Sequence, residues 1–128
     1  MLKSYMDKVT APEYEKLGIT TSMGMVLRVV SHREGVSMKD VSEILMIDKA
    51  MITRMVLKLL DMGLLENTAS GHAYSLRLTE KGKEIAARSK EIMDAAWKDL
   101  LSDLTEEERE VFDSVMVKIS DKIRRSLS

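Results

Sequence analysis

The chain has 128 residues, a formal net charge of −1 and no cysteine, with 32% charged and 4% aromatic residues. That length suits one domain with one core, and the composition suits a helical protein better than a β-sandwich. The missing cysteine excludes disulfides, thiolate metal sites and cysteine-based peroxide sensing. No apolar run approaches the roughly 20 residues of a membrane span, and the opening MLKSYMDKVTAPEYEK lacks the apolar core of a signal peptide. A cytoplasmic protein without membrane association is expected. Charge is unevenly spread: between residues 28 and 83 nine Lys and Arg face seven Asp and Glu, a balance of +2 that leaves −3 for the two ends. The sign suits a nucleic-acid-reading middle and equally an ordinary solvated surface.

Residues 1–17 read as helix broken once, because Thr10-Ala11-Pro12-Glu13 combines a cap, an early proline and the acid of a capping box. Gly18 stops it. Thr20 or Thr21 caps the next helix, in which Met23, Val26, Leu27 and Val30 face inward, and Gly35 closes that helix. Ser37 then caps a helix with Asp40 in its first turn and Val41, Ile44 and Leu45 on one buried face. Met46 and Ile47 turn the corner, and Asp48 caps a second helix striped by Ile52, Val56, Leu59 and Leu60. Lys49, Ala50, Thr53, Arg54 and Lys58 therefore lie elsewhere on that cylinder. Gly63 ends it in the left-handed conformation. Two strands follow, Leu64-Leu65-Glu66-Asn67 and Tyr74 to Thr79, with Leu76 and Leu78 on one face and Ser75 and Arg77 on the other. Ala69-Ser70-Gly71-His72 supplies the turn. A helix-turn-helix followed by a hairpin is a winged helix, although any amphipathic helix pair with a hairpin produces the same pattern.

Beyond the hairpin Thr79 caps a long helix. Along it Ile85, Ile92, Met93, Ala96, Trp97, Leu100 and Leu101 recur at near-heptad spacing. Thr105 with Glu108 forms a capping box that opens a last helix striped by Val111, Phe112, Val115, Met116, Ile119 and Ile123. One small domain has too little chain to hide both stripes. The expected cover is a second copy, in a homodimer whose twofold axis suits a palindromic DNA site. The alternative is a monomer in which the stripes pack on each other.

Enzymatic readings find little support. His32 and His72 lie on different elements, and Gly82-Lys83 lacks both the upstream glycine and the following Ser or Thr of a phosphate loop. Glu106, Glu107, Glu108 and Glu110 form a solvated helix start rather than a paired acid and base. No catalytic residue, metal ligand set or cofactor is expected. The eleven methionines suit core gaps, and secondarily a deformable ligand pocket.

IDKAMITRMVLKLLDMGLLE followed by LRLTEKGKEI resembles the signature of the MarR family of transcriptional regulators. LGITTSMGMVLRVVSHREGVSMKDVSEIL is similar to that family's two preceding helices, and LTEEEREVFDSVMVKI to its last. The resemblance implies a mainly α fold with a small β-hairpin wing: a winged helix-turn-helix, dimeric through its N- and C-terminal helices. The whole chain is then one domain, with N-terminal helices in 1–34, the winged helix-turn-helix in 35–79 and dimerisation helices in 80–128. It implies sequence-specific binding of double-stranded DNA, with Lys49, Ala50, Met51, Thr53 and Arg54 toward the major groove. Ser37, Lys39 and Lys58 would hold phosphates. Asp48-Lys49 and Thr53-Arg54 match the family's Asp-Lys and Thr-Arg pairs. The family's Asp-x-Arg at the wing tip is absent, leaving His72 and Arg77 as the nearby cations, and Leu57 stands where a polar or acidic residue is usual. The resemblance further implies a small, often aromatic or anionic effector between the wing-bearing lobe and the dimer helices. The short wing and an outward Met51 and Leu57 motivate an alternative, a winged-helix module that docks another protein and binds DNA weakly or not at all.

Overall fold

In a computed structural model, described for residues 1–71 and 73–127, six helices and one hairpin follow the chain. They are α1 (Leu2–Leu17), α2 (Thr21–His32), α3 (Met38–Leu45), α4 (Lys49–Asp61), β1 (Leu65–Asn67), β2 (Leu76–Leu78), α5 (Glu80–Leu100) and α6 (Glu106–Leu127). The chain forms two compact units, Met1–Asp94 and Ala95 onward. The fold is mainly α-helical with a small antiparallel hairpin, the winged helix-turn-helix expected from the sequence.

The first unit is built on one apolar cluster. Val26, Leu27 and Val30 of α2, Val41 of α3, Ile52, Val56 and Leu59 of α4, and Leu64 and Leu76 of the wing are all essentially inaccessible to water. Most of that inner face follows the three-and-four spacing of the sequence, but Met55 is also buried, at 8% exposure. Ile44 and Leu45 are only half-buried, because they wall a cleft of about 290 Å³ against Met25 and Val29 of α2.

Capping sets the helix starts. Thr20 Oγ1 accepts from Met23 N at 3.1 Å, Ser37 Oγ from Asp40 N at 3.1 Å and Asp48 Oδ1 from Ala50 N at 2.7 Å. Each occupies a donor that the first helical turn leaves without a partner. Met46, between α3 and α4, adopts a left-handed conformation at φ 55°.

The expected break in the first helix does not occur: α1 runs continuously through Pro12. Thr10 is no cap. It is buried, and its hydroxyl donates back to Met6 O at 2.7 Å. Met6, Thr10 and Tyr14 form one buried face at spacings of four, so packing keeps the helix continuous across the one hydrogen bond that proline cannot make. Tyr14 extends this contact to α5, its hydroxyl 2.7 Å from Ser89 Oγ. Gly24 of α2 lies against the same pair, where a Cβ would approach Tyr14 Cε1 to 2.7 Å.

The strands are shorter than the sequence reading, which extended them to Leu64 and over Tyr74 to Thr79. Leu65 pairs with Leu78, Glu66 with Arg77 and Asn67 with Leu76. Beyond that Thr68 N still donates to Ser75 O at 2.8 Å, and a side chain joins in: Asn67 Oδ1 accepts from Ser75 N at 2.9 Å and from Ala69 N at 3.1 Å. Val36 adds an isolated bridge to Leu76, with Leu76 N donating to Val36 O at 2.9 Å and Gly35 N to Leu76 O at 2.8 Å. The α2–α3 turn is thereby stitched to the wing.

In the second unit Thr105 and Glu108 form a reciprocal capping box. Thr105 N donates to Glu108 Oε1 at 3.0 Å and Glu108 N to Thr105 Oγ1 at 3.2 Å. The Trp97 and Phe112 rings lie 6.5 Å apart, tilted by 38°. Leu101 falls in the turn after α5 rather than on the helix.

Candidate nucleic-acid interface

The face that could meet DNA is what the core leaves over. Along α4 the buried residues Ile52, Met55, Val56 and Leu59 occupy one side. At 100° per residue the opposite side centres on Ala50, Arg54, Leu57 and Asp61, flanked by Met51 and Lys58. All six are exposed, and Thr53 at the edge is half-buried. Thr53 Oγ1 donates to Lys49 O at 2.9 Å, so its proton is engaged within the helix while its lone pairs stay open. Of the residues named from the sequence, Ala50, Met51 and Arg54 therefore stand outward on one helix, with Lys58 one turn beyond Arg54; Lys49 is exposed as the first residue of α4, on the side nearer the buried Val56.

Lys39 projects from the start of α3 and is exposed. Ser37 has its oxygen committed to capping α3, which leaves its hydroxyl proton available to an acceptor. His72 lies outside the described residues.

The cations of this face are not held by carboxylates of the described residues. Among the described residues, Lys3, Lys16, Lys83, Lys90, Arg77 and Arg124 each lie within 4.0 Å of a carboxylate. None of these cations is on α3 or α4. Arg54 makes neither of the ion pairs open to it in the sequence, with Glu43 or Asp61; its Nη2 donates instead to Met51 Sδ at 3.9 Å. A thioether is a weak acceptor, so the guanidinium remains able to bind a stronger one.

The wing is arranged differently. Arg77 Nε pairs with Glu66 Oε1 at 3.1 Å, across the strands, with both side chains about half exposed. The sequence leaves Arg77 as one of two cations near the wing tip; the cross-strand carboxylate now competes for it. The pairing follows from a register in which Glu66 stands directly opposite Arg77, and the length of the turn alone left that register open.

The wing returns to α5 through Thr79. Its hydroxyl accepts from Gly82 N at 3.0 Å and donates to Gly63 O at 2.6 Å, while its amide donates to Leu64 O at 3.2 Å. Gly82 presses against the Leu64 carbonyl so closely that a Cβ would have no room. The Thr-x-x-Gly element is thus a joint that fixes the wing and the end of α4 to α5.

Among the described residues no helix is long and apolar enough to cross a membrane, and no three His, Asp or Glu side chains group as metal ligands would.

Comparison with known proteins agrees with this arrangement. No curated protein sequence matches the chain. The model of the MarR family matches residues 19–70, which run from the residue before α2's cap to the wing turn. A MarR transcriptional regulator from Methanosarcina mazei shares the fold at a TM-score of 0.81 and 25% identity, over 96% of this chain and 85% of that one. A MarR family protein of Mycobacterium tuberculosis in complex with DNA superposes at a TM-score of 0.77 and 21% identity, over 91% of this chain and 88% of the other. A structure of a Mycobacterium tuberculosis MarR family protein in complex with salicylic acid gives 0.75 and 24%, over 91% and 85%. Residues 19–70 thus resemble the MarR family, and the wing and helices around them share the winged helix-turn-helix fold of the MarR transcriptional regulator from Methanosarcina mazei.

Proposed function

We propose that the chain is a homodimeric regulator that reads a specific double-stranded DNA site with α4 and is controlled by a small anionic ligand. The observation that carries the DNA reading is the set of exposed, unpaired cations on α3 and α4: Lys39, Lys49, Arg54 and Lys58. In this reading Lys49, Ala50, Met51, Thr53 and Arg54 face the major groove, and Ser37, Lys39 and Lys58 hold phosphates on either side. Arg77 contributes a phosphate contact only by leaving Glu66, and His72 contributes little. Three parts make up the domain: the N-terminal helices (1–34), the winged helix-turn-helix (35–79) and the dimerisation helices (80–128).

The test is selection of bound sequences from a random DNA pool, followed by comparison of wild type and Arg54→Ala on the selected site and on random DNA. An arginine reading a base edge contributes about 1–3 kcal/mol at one position of the site. One lying on a phosphate weakens all sequences alike and lowers the salt slope by about one unit. Unchanged affinity on both DNAs, in a folded protein, removes Arg54 from the interface. No enriched sequence and no loss of binding with salt would instead favour a protein-docking module. That second reading rests on Leu57, 48% exposed in the middle of the α4 face.

A cleft of about 220 Å³ between α2 and α5 suits the ligand. Arg28 brings positive charge to it and His32 an imidazole, Lys83 is shared with Glu80, and Leu78, Ala86 and Ala87 form an apolar wall. Salicylate titrated against wild type and Arg28→Ala, with heat of binding as the readout, tests the assignment. Equal binding by the two proteins would place the ligand elsewhere.

A further inference from the structure

The chain has eleven methionines and no cysteine, so its sulfur chemistry belongs entirely to thioethers. Met6, Met23 and Met55 are buried in the first unit, at 3–8% exposure. Two others stand at the start of the α4 face: Met46 is 92% exposed in the corner before Asp48, and Met51 is 43% exposed in the helix itself. Met51 is the one whose sulfur touches a functional candidate, because Sδ accepts from Arg54 Nη2 at 3.9 Å.

We propose that Met51 is a reversible oxidation site whose sulfoxide captures Arg54 and so releases the protein from DNA. The oxidant is a two-electron oxygen donor such as hypochlorous acid. The thioether sulfur gives up two electrons and gains one oxygen, and chloride and a proton leave. Sulfoxide formation replaces a weak acceptor with a strongly polar S=O oxygen at the position the guanidinium already approaches. A hydrogen bond to a charged donor is roughly twice as strong as a neutral one, and this one closes locally at a spacing of three residues along the helix. Arg54 is thereby held on its own helix. Methionine sulfoxide reductases reverse the change. The buried methionines are shielded, so oxidation starts at the surface.

The inference rests on the DNA reading above, and the experiment separates the two. Wild type and Met51→Leu are titrated with hypochlorous acid, the oxidised positions are mapped by mass spectrometry, and affinity for the selected DNA is measured before and after. Once Met51 is oxidised, wild-type affinity should fall by about tenfold, the scale of one arginine–base contact, and reductase treatment should restore it. For Met51→Leu the ratio of affinities before and after oxidant should stay near one, whatever its starting affinity. Met46→Leu should respond as wild type does. Met51→Gln, with an amide oxygen in the sulfoxide's place, should bind DNA weakly without any oxidant. An oxidised wild type that binds as before, or a Met51→Leu that responds equally, overturns the proposal. If the reduced protein binds no DNA, the DNA reading fails. The Met51–Arg54 contact is then tested by NMR: guanidinium signals of Arg54 that do not move on oxidation of Met51 overturn it as well.

Discussion

Gly82→Ala pits one local effect against a tertiary contact, and they differ in sign. Gly82 is the third residue of α5, where alanine is intrinsically better than glycine by about 1 kcal/mol. Propensity alone therefore predicts stabilisation. The structure predicts the reverse, because an added Cβ would lie 2.9 Å from the Leu64 carbonyl carbon and closer still to its oxygen. Carbon atoms pack best at about 3.5–4.0 Å, so the start of α5 has to retreat from the end of α4 by roughly 1 Å. The same Leu64 oxygen accepts from Thr79 N at 3.2 Å, and a retreat of that size breaks the bond. Overpacking costs about 1–3 kcal/mol and the lost hydrogen bond about 1 kcal/mol. After the propensity gain the net destabilisation is about 1–3 kcal/mol. At roughly 4 °C per kcal/mol, Tm should fall by about 4–12 °C. Melts at matched protein concentration are needed, since assembly raises Tm by mass action. Gly71→Ala serves as the control, because nothing lies within 4 Å of its Cβ position. A Gly82→Ala protein melting at or above wild type would refute the close-contact reasoning.

Met46, at φ 55° and 92% exposed, bears the cost of a left-handed conformation with no packing in return. Met46→Asn should raise stability by roughly 0.5–1 kcal/mol in a denaturant titration, and a loss of stability would mean that the side chain is held by something else. Glu66→Gln should release Arg77, steepening the salt dependence of DNA binding while changing stability by less than about 1 kcal/mol, as befits an exposed pair. If neither Glu66→Gln nor Arg77→Ala alters DNA affinity, Arg77 serves only to join the strands. The Thr105 amide, and after it the Thr105 hydroxyl, hold the Glu108 carboxyl below the usual glutamate range. A depressed folded-state pKa contributes stability that is present above the usual glutamate pKa and is lost as pH falls through the lower folded value. Carboxyl-carbon NMR should show Glu108 titrating below the other exposed glutamates, and Thr105→Ala, which removes the hydroxyl and keeps the amide, should reduce the difference without abolishing it. Val111, Val115, Ile119 and Ile123 are 45–64% exposed at spacings of four along α6, an apolar stripe of the kind that marks an interface. Sedimentation at micromolar concentration should show a dimer; a 14.5 kDa species alone would remove the partner subunit.

Local chemistry was legible in the residues themselves. The caps at Thr20, Ser37, Asp48, Thr79 and Thr105 follow from short polar side chains standing just before apolar periodicity. The inner faces of α2 and α4 follow largely from spacings of three and four, and the outward position of Arg54 follows by exclusion. These features depend on neighbours within about one helical turn, which spacing records. What the sequence misjudged depended on distant neighbours. Thr10 and Pro12 have the form of a helix start, yet burial of Met6, Thr10 and Tyr14 on one face carries α1 straight through them. Met55 lies just outside the periodic stripe and is buried because the core wraps further round α4 than the stripe suggests. The Val36–Leu76 bridge, the Leu64 carbonyl against Gly82, and the choice of Glu66 by Arg77 and of Met51 by Arg54 are decided only in three dimensions. A side chain with several acceptors within reach takes the one that the folded backbone brings to the right distance and angle, and spacing along the chain does not contain that angle.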